Sequence, residues 1–262
     1  MRTDRHEGPR RGPPKPPAAL PAVTFDFWET LVQDTPENTV QASSRRVRSL
    51  AALLASAGCA RPQAAVEQAH ERCWTVMTER FWTTDRDPSI QDQVRLFFDC
   101  LDEGLRARLD DATFARAVDA YGTPALEYPP VPMPGAIEAL RALSARGIRL
   151  GIVSNTGRTP GVALRRILER HDMLRYFDTV AIAYSDEVGF RKPDARIFRR
   201  SLEALGVEPA RALHVGDNPD ADVLGAQRAG MRAAHYAFAD AEPSPAADFV
   251  VKDLADLPRF IQ

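Results

Sequence analysis

Four short apolar runs, rich in β-forming residues and each giving way to polar or charged side chains, constrain this chain more than any other feature. They span residues 22–25, 148–153, 179–184 and 212–215, and the first stops at Asp26. A continuous apolar run of this length reads as a strand buried on both faces, with its last residue at the sheet edge. Amphipathic stretches at 134–146, 161–171, 194–205 and 220–229 separate the later runs. Two more short apolar runs, 231–236 and 248–251, precede a C-terminal helical segment. Strands alternating with helices at this spacing predict an α/β fold built on a parallel, doubly wound sheet.

The alternation is interrupted once. Between about 37 and 129, Val47, Leu50, Leu53 and Leu54 recur at helical spacing, as do Val94, Phe97, Phe98 and Leu101, and then Phe114 and Val118. This pattern predicts a block of four helices. Pro36 bounds it on one side, and Pro129, Pro130, Pro132 and Pro134 on the other. The expected organisation is an α/β core over 22–36 and 130–262 with an all-helical cap, 37–129, inserted after the first strand. Residues 1–21 hold six prolines and five basic residues, too little apolar surface to offset the entropy of ordering, and read as a disordered leader.

Composition narrows the function by exclusion. A formal net charge of −2 over 262 residues provides no global field to draw in nucleic acid or an anionic membrane. No apolar run approaches the length of a membrane span, and the basic N-terminus lacks the apolar stretch of a secretory signal. Cys59, Cys73 and Cys100 are odd in number and without a C-x-x-C spacing, which argues against a disulfide framework or a structural zinc site. Free thiols in a reducing cytoplasm are expected, and a monomer or homodimer is open.

Ligands of an open parallel sheet bind beyond the carboxyl ends of its strands. At those ends stand Asp26 after the first run, Ser154 and Asn155 after the second, and Asp217 after the fourth, with Lys192 ahead of a helix that starts near Asp194. A single carboxylate there is usually a cap or turn residue. Two carboxylates converging on one edge repel unless a cation lies between them, so their coexistence predicts Mg²⁺, Lys192 or both.

The same loops resemble the motifs of the haloacid dehalogenase-like superfamily. Phe25-Asp26-Phe27-Trp28-Glu29-Thr30-Leu31 looks like the first motif and Val153-Ser154-Asn155 the second. Gly189-Phe190-Arg191-Lys192-Pro193-Asp194 is similar to the third, and Gly216-Asp217-Asn218 with Asp222 to the fourth. The four occur in order and span the chain from about residue 22 to its end. The resemblance implies a Rossmann-like core with an inserted helical cap that opens and closes, and hydrolysis of a phosphorylated small molecule. Asp26 would attack phosphorus to give an aspartyl-phosphate. Ser154 and the amide of Asn155 would hold phosphate oxygens, and Lys192 would neutralise charge on nucleophile and phosphoryl group. Asp26, the backbone carbonyl of Trp28 and Asp217 would ligate Mg²⁺, with Asp222 a direct ligand or one step behind. Only 38 positions separate Ser154 from Lys192, which leaves no room for a second large cap.

One departure bears on chemistry. Phosphatases of the family carry a second Asp two residues after the nucleophile, as general acid and base; here that residue is Trp28. An indole cannot serve in that role, and losing such a group costs on the order of a hundred- to ten-thousand-fold in rate. Glu29 is the nearest replacement, and His70, Asp85 or Arg86 could enter from the cap. The alternatives are C–halogen hydrolysis, which needs no leaving-group proton, and a protein that binds a phosphate ligand or partner without turnover. The retained carboxylate at Asp217 favours phosphoryl over halocarbon chemistry, since the metal-free dehalogenase branch resembles Ser-Ser-Asn there.

The remaining candidates carry plainer readings. His214 is expected to be a satisfied core histidine, and Trp74, Phe81 and Trp82 fit the cap's own core as well as a substrate-stacking wall. The polar segment 82–89 is expected to face the site, bringing Arg86 to the substrate. Asp186 and Glu187 are expected to position Lys192 without direct chemistry, Asp178 is an ordinary loop charge, and Arg191 is placed to touch the substrate or a cap carboxylate.

Overall fold

The computed structural model describes residues 20–261. The leader expected over 1–21 thus falls largely outside the described residues, but Leu20 is buried in the main core and the carbonyl of Pro21 accepts from the Arg149 amide.

The strands are β1 (Ala22–Phe25), β2 (Val32–Gln33), β3 (Val131–Pro132), β4 (Arg149–Ser154), β5 (Ile182–Tyr184), β6 (Ala212–Gly216), β7 (Arg232–Tyr236) and β8 (Phe249–Val251). Six of them form one parallel sheet in the order β5-β4-β1-β6-β7-β8. The chain therefore winds outward in one direction through β4 and β5 and in the other through β6, β7 and β8. The crevice where the order reverses lies beyond the carboxyl ends of β1, β4 and β6, so Asp26, Ser154 and Gly216 open onto the same edge.

The helices are α1 (Pro36–Ser56), α2 (Gln63–Val76), α3 (Ile90–Leu101), α4 (Asp111–Gly122), α5 (Ala136–Ala145), α6 (Gly161–Arg170), α7 (Ser185–Val188), α8 (Ala195–Leu205) and α9 (Gly225–Arg228). Residues of β1 alternate between two cores, as the period of two requires. Val23 and Phe25 join Leu140, Leu143, Leu164 and Ile167 of α5 and α6 on one face. Ala22 joins Ile197, Phe198 and Ala226 of α8 and α9 on the other. With both faces covered, every residue of β1 is buried, which explains why its sequence is apolar almost without interruption.

Helices α1 to α4 bury a third core of their own, built on Leu50, Leu54, Val66, Val94, Phe97, Phe98 and Tyr121. Their starts are set by side-chain caps. Thr35 accepts from the Asn38 amide with Pro36 at the first helical position, Ser89 accepts from Asp92, and Asp110 from Thr113. The two crossings between this block and the α/β core meet at a small antiparallel pair, β2 with β3, a feature too short to carry a sequence signal.

Some expected elements differ in detail. The stretch 220–229 is a π-helical turn, Pro219–Leu224, followed by the single turn of α9, because Asn218 caps the amides of Asp220 and Ala221 and draws the chain into a wide first turn. The run expected from 179 begins as a 3-10 turn, Thr179–Ala181, capped by Asp178, and becomes strand only at Ile182. Among the described residues no helix is long and apolar enough to cross a membrane.

Candidate active site

Three carboxylates meet at the reversal point. Asp26, Asp217 and Asp222 each present an oxygen within 4.8 Å of the others. Asp26 follows β1 directly, and Asp217 follows Gly216 at the end of β6. Asp222 reaches back from the π-helical turn, so closely that a Cβ on Gly216 would run into its carboxylate. A glycine is required there by that approach.

Lys192 is the counter-cation. It is buried, and its Nζ lies 2.7 Å from Asp26 Oδ1 and 2.5 Å from Asp222 Oδ1. Burial opposes its charge, but Asp222 and Asp26 outweigh burial and hold the ammonium above its usual range. Asp222 has further support: His214 Nε2 donates to Oδ1 at 2.9 Å and the Asn218 amide to Oδ2 at 3.0 Å. Burial opposes its ionisation too, yet Lys192 and His214 prevail and keep its carboxyl well below the usual range. His214 itself is satisfied at both nitrogens, with Thr24 Oγ1 2.9 Å from Nδ1, as expected of a core histidine, but its Asp222 contact makes it part of the cluster.

Asp26 and Asp217 are less well compensated. Burial raises the Asp26 carboxyl and Lys192 only partly offsets it, while Oδ1 also accepts from the Phe27 amide at 2.7 Å. Burial, then Asp26 and Asp222, push Asp217 up to about 7. The Asp217 carbonyl accepts from His235 Nε2 at 2.8 Å. The Ser244 amide donates to His235 Nδ1 at 3.0 Å, which fixes the proton on Nε2. This anchor is not legible in the sequence, because it joins the ends of β6 and β7.

A divalent cation fits this donor set. Asp222 is fully engaged by Lys192, His214 and an amide, leaving Asp26 and Asp217 as the oxygens short of positive charge. The bridge between Trp28 and Val32 uses the Glu29 amide and the Phe27 carbonyl, so the Trp28 carbonyl is outside that ladder.

The other sequence candidates divide. Ser154 is fully buried, its hydroxyl 3.5 Å from the Asn155 carbonyl, and its proximity slightly lowers the Asp26 carboxyl against the effect of burial. The Asn155 side chain holds the Lys192 backbone from both sides: Oδ1 accepts from the Lys192 amide at 2.8 Å and Nδ2 donates to its carbonyl at 3.2 Å. That is the positioning role expected of Asp186 and Glu187, which lie elsewhere. The single turn of α7 directs Asp186 to the Gly161 amide at the start of α6 and Glu187 to Arg165. Burial pushes Asp186 up to about 6.

A cavity of about 440 Å³ adjoins the cluster, walled by Trp28, Asn155 and Thr156 on the core side and by Trp74, Trp82 and Arg46 from the helical block. Trp28 packs edge-on against Phe27 and turns its indole to this cavity. The segment 82–89 does lie against the core. The Asp87 amide donates to the Gly189 carbonyl and the Arg191 amide to the Asp85 carbonyl. Asp87, buried, accepts from Trp82 Nε1 at 2.9 Å and from Ser185 Oγ at 2.5 Å. Arg86 does not reach the cavity: its backbone pairs with Phe190 and its guanidinium stacks on the Phe190 ring. Arg191 is the one of the pair that lines it. His70 is buried beside Arg158, whose guanidinium donates to its carbonyl; burial and the two arginines 158 and 46 press its ring down to about 3, so it stays neutral. Glu29 takes a left-handed backbone conformation in the turn between Trp28 and β2 and does not line the cavity. Arg46, Arg158, Thr156 and Asp87 are the site-lining or site-bracing residues that the sequence did not single out.

A model of the haloacid dehalogenase-like hydrolase family matches residues 20–230, and the chain belongs to that family. Among curated relatives, a glyceraldehyde 3-phosphate phosphatase of Methanopyrus kandleri is 36% identical over 151 residues, 56% of this chain and 61% of the relative. A phosphoglycolate phosphatase of Rhodospirillum rubrum is 38% identical over 130 residues, 47% of this chain and 52% of the relative. The chain thus spans about half the length of the curated relatives it matches. Among solved structures, a 2-haloacid dehalogenase from Pseudomonas syringae superposes with a TM-score of 0.63 at 26% identity, covering 92% of this chain and 97% of the other. A phosphatase of the same superfamily from Thermococcus onnurineus gives 0.58 at 26% identity, covering 91% and 96%.

Proposed function

We propose that this chain is a Mg²⁺-dependent phosphomonoester hydrolase of the cytoplasm, with Asp26 as nucleophile. The observation that carries the reading is the surplus of negative charge at Asp26 and Asp217 after Lys192 and His214 have compensated Asp222. A site built to expel a halide from carbon does not need a second carboxylate poised beside the nucleophile. Phosphatase activity named in relatives of Methanopyrus kandleri and Rhodospirillum rubrum points the same way.

Asp26 Oδ attacks phosphorus and the bond to the ester oxygen breaks, giving an aspartyl-phosphate and an alkoxide that takes up a proton. Water then attacks phosphorus, releasing inorganic phosphate and restoring the Asp26 carboxylate. Lys192 sits against the attacking oxygen and balances the charge as it builds. Ser154 and the amide of Asn155 would hold the phosphoryl oxygens, and the Asn155 side chain keeps Lys192 in place through its main chain. Asp26, Asp217 and the Trp28 carbonyl, with Asp222 behind them, would hold Mg²⁺, which would supply positive charge to the phosphoryl group.

The second reading is C–halogen hydrolysis, favoured by one observation: the indole of Trp28 occupies the place of a proton donor and lines the cavity. Phosphate release from a panel of phosphomonoesters and one activated aryl phosphate separates the two. We expect release that is lost with a chelator and with Asp26→Asn, and faster for the activated ester because its leaving group needs no proton. Halide release from 2-haloacids without phosphate release from any ester would reverse the assignment.

A further inference from the structure

Three guanidinium groups converge on the cavity beside the carboxylate cluster: Arg46 from α1, Arg158 from the loop after β4, and Arg191 next to Lys192. Among the described residues none of them pairs with a carboxylate. Arg46 is buried, donates through Nε to the Tyr121 carbonyl and stacks on that ring. Arg158 donates to the His70 carbonyl and lies 4.3 Å above Trp74, with its Nε buried and without a hydrogen-bond partner. Arg191 lies 3.9 Å above Trp82, and its Nη1 is likewise buried and unpartnered. Asp87 and Asp85 of the helical block lie near enough to favour the charge of Arg191 without forming an ion pair with it, and Asp87 spends its hydrogen bonds on Trp82 and Ser185. Asp34 is the single acid in the cavity wall among the described residues, and it accepts from Thr39 rather than from an arginine.

Arg46 is buried while Arg158 and Arg191 are half-buried with one buried, unpartnered guanidinium nitrogen each, and such groups are costly to keep without a hydrogen-bonded partner. The wall shared with Trp28, Asn155 and Thr156 places this positive surface next to the phosphoryl site but on separate residues, since Lys192 is already committed to Asp26 and Asp222. At about 440 Å³ the space also exceeds what a phosphoryl group fills, given roughly 10–15 Å³ of such space for one water.

We infer that the cavity takes the non-reacting end of the substrate and that this end carries an anion of its own, a carboxylate or a second phosphate, held by Arg46, Arg158 and Arg191. The inference rests on the phosphomonoesterase reading of Asp26 and narrows it to a substrate class. Aligned guanidinium–oxyanion contacts are among the stronger polar interactions, so a preference of about tenfold or more is expected.

The test uses matched esters that differ only in the second anion: 4-carboxyphenyl phosphate against phenyl phosphate, and an alkanediol bisphosphate against the alkyl monophosphate. In wild type kcat/KM should favour each ester that carries the second anionic group by about tenfold or more, and the ratio should fall to within about threefold in Arg158→Gln and in Arg191→Gln. Whichever second anion gives the larger ratio identifies the source. Equal kcat/KM within both pairs, with release still dependent on Asp26, would overturn the inference and leave the phosphatase reading standing. If no ester is hydrolysed, that reading fails, and calorimetry of the same four esters with Asp26→Asn protein still decides the inference: about tenfold tighter binding of the esters with the second anionic group upholds it, and equal affinities overturn it.

Discussion

The two charged regions of the site are built on opposite principles. Around Asp26, three carboxylates are brought together with their own cation, and each contact to Lys192 and His214 is short and buried. Across the cavity, three arginines gather with no carboxylate among the described residues hydrogen-bonded to them, and settle for carbonyls and aromatic faces. The first region is nearly complete in itself and asks only for one more cation. The second is incomplete, and its missing partner is the ligand. A charge whose partner is supplied by the fold stabilises the fold, whereas a charge left open stores its interaction for binding.

Lys192→Met breaks the comparison most severely. It leaves Asp26 and Asp222 buried without their cation, and removing one partner of a buried ion pair costs about 3–5 kcal/mol. Urea denaturation should show that loss, with part of it recovered on adding Mg²⁺. An effect below about 1 kcal/mol would mean that the cluster is not self-compensated.

Asp217 provides a sharper probe, because it is the carboxyl that the protein leaves waiting. Its carboxyl is raised to about 7, so the folded state holds the proton more tightly than the unfolded state does. Metal-free protein should therefore lose stability as pH rises from the ordinary carboxyl value through about 7, by up to about 4 kcal/mol. Asp217→Asn should flatten that slope, and Mg²⁺ should restore wild-type stability above the transition while leaving the variant unchanged. Parallel pH profiles of stability for the two proteins, with and without metal, would refute this account.

The smallest effect is expected at Arg158→Gln. If the arginine wall serves a ligand rather than the fold, removing one member should shift unfolding by no more than about 1 kcal/mol in either direction. A loss comparable to that of Lys192→Met would place Arg158 in the fold's own support and erase the contrast between the regions.

That contrast also explains what could be read in advance. Asp26 and Asp217 are visible because a carboxylate directly after a buried apolar run is unusual, and the parallel sheet brings such ends together. Lys192 follows from the resemblance and from the need for a cation. Arg46 and Arg158 give no such signal. Arg46 lies within α1 among other basic residues, where it reads as a solvated helix face, and only the packing of α1 against α4 buries it. The segment 82–89 is legible as a loop against the core, yet that Arg191 rather than the segment's own Arg86 lines the cavity is not. The backbone pairing of Arg86 with Phe190 turns Arg86 onto that ring, while Arg191 takes the cavity side. Proximity in sequence does not bring Asp186 and Glu187 to Lys192, because the one turn of α7 directs them to the Gly161 amide and to Arg165. His235 reaches Asp217 from a neighbouring strand, a relation set by strand order alone.

The most direct test of the central claim is to trap the intermediate on Asp26. Wild-type protein is mixed with an activated aryl phosphate and Mg²⁺, quenched in acid within a turnover, digested and analysed by mass spectrometry. A phosphoryl adduct on the peptide that contains Asp26, absent from Asp26→Asn and from the chelator control, is the predicted result. Phosphate release that persists in Asp26→Asn, with no adduct on that peptide, would contradict it.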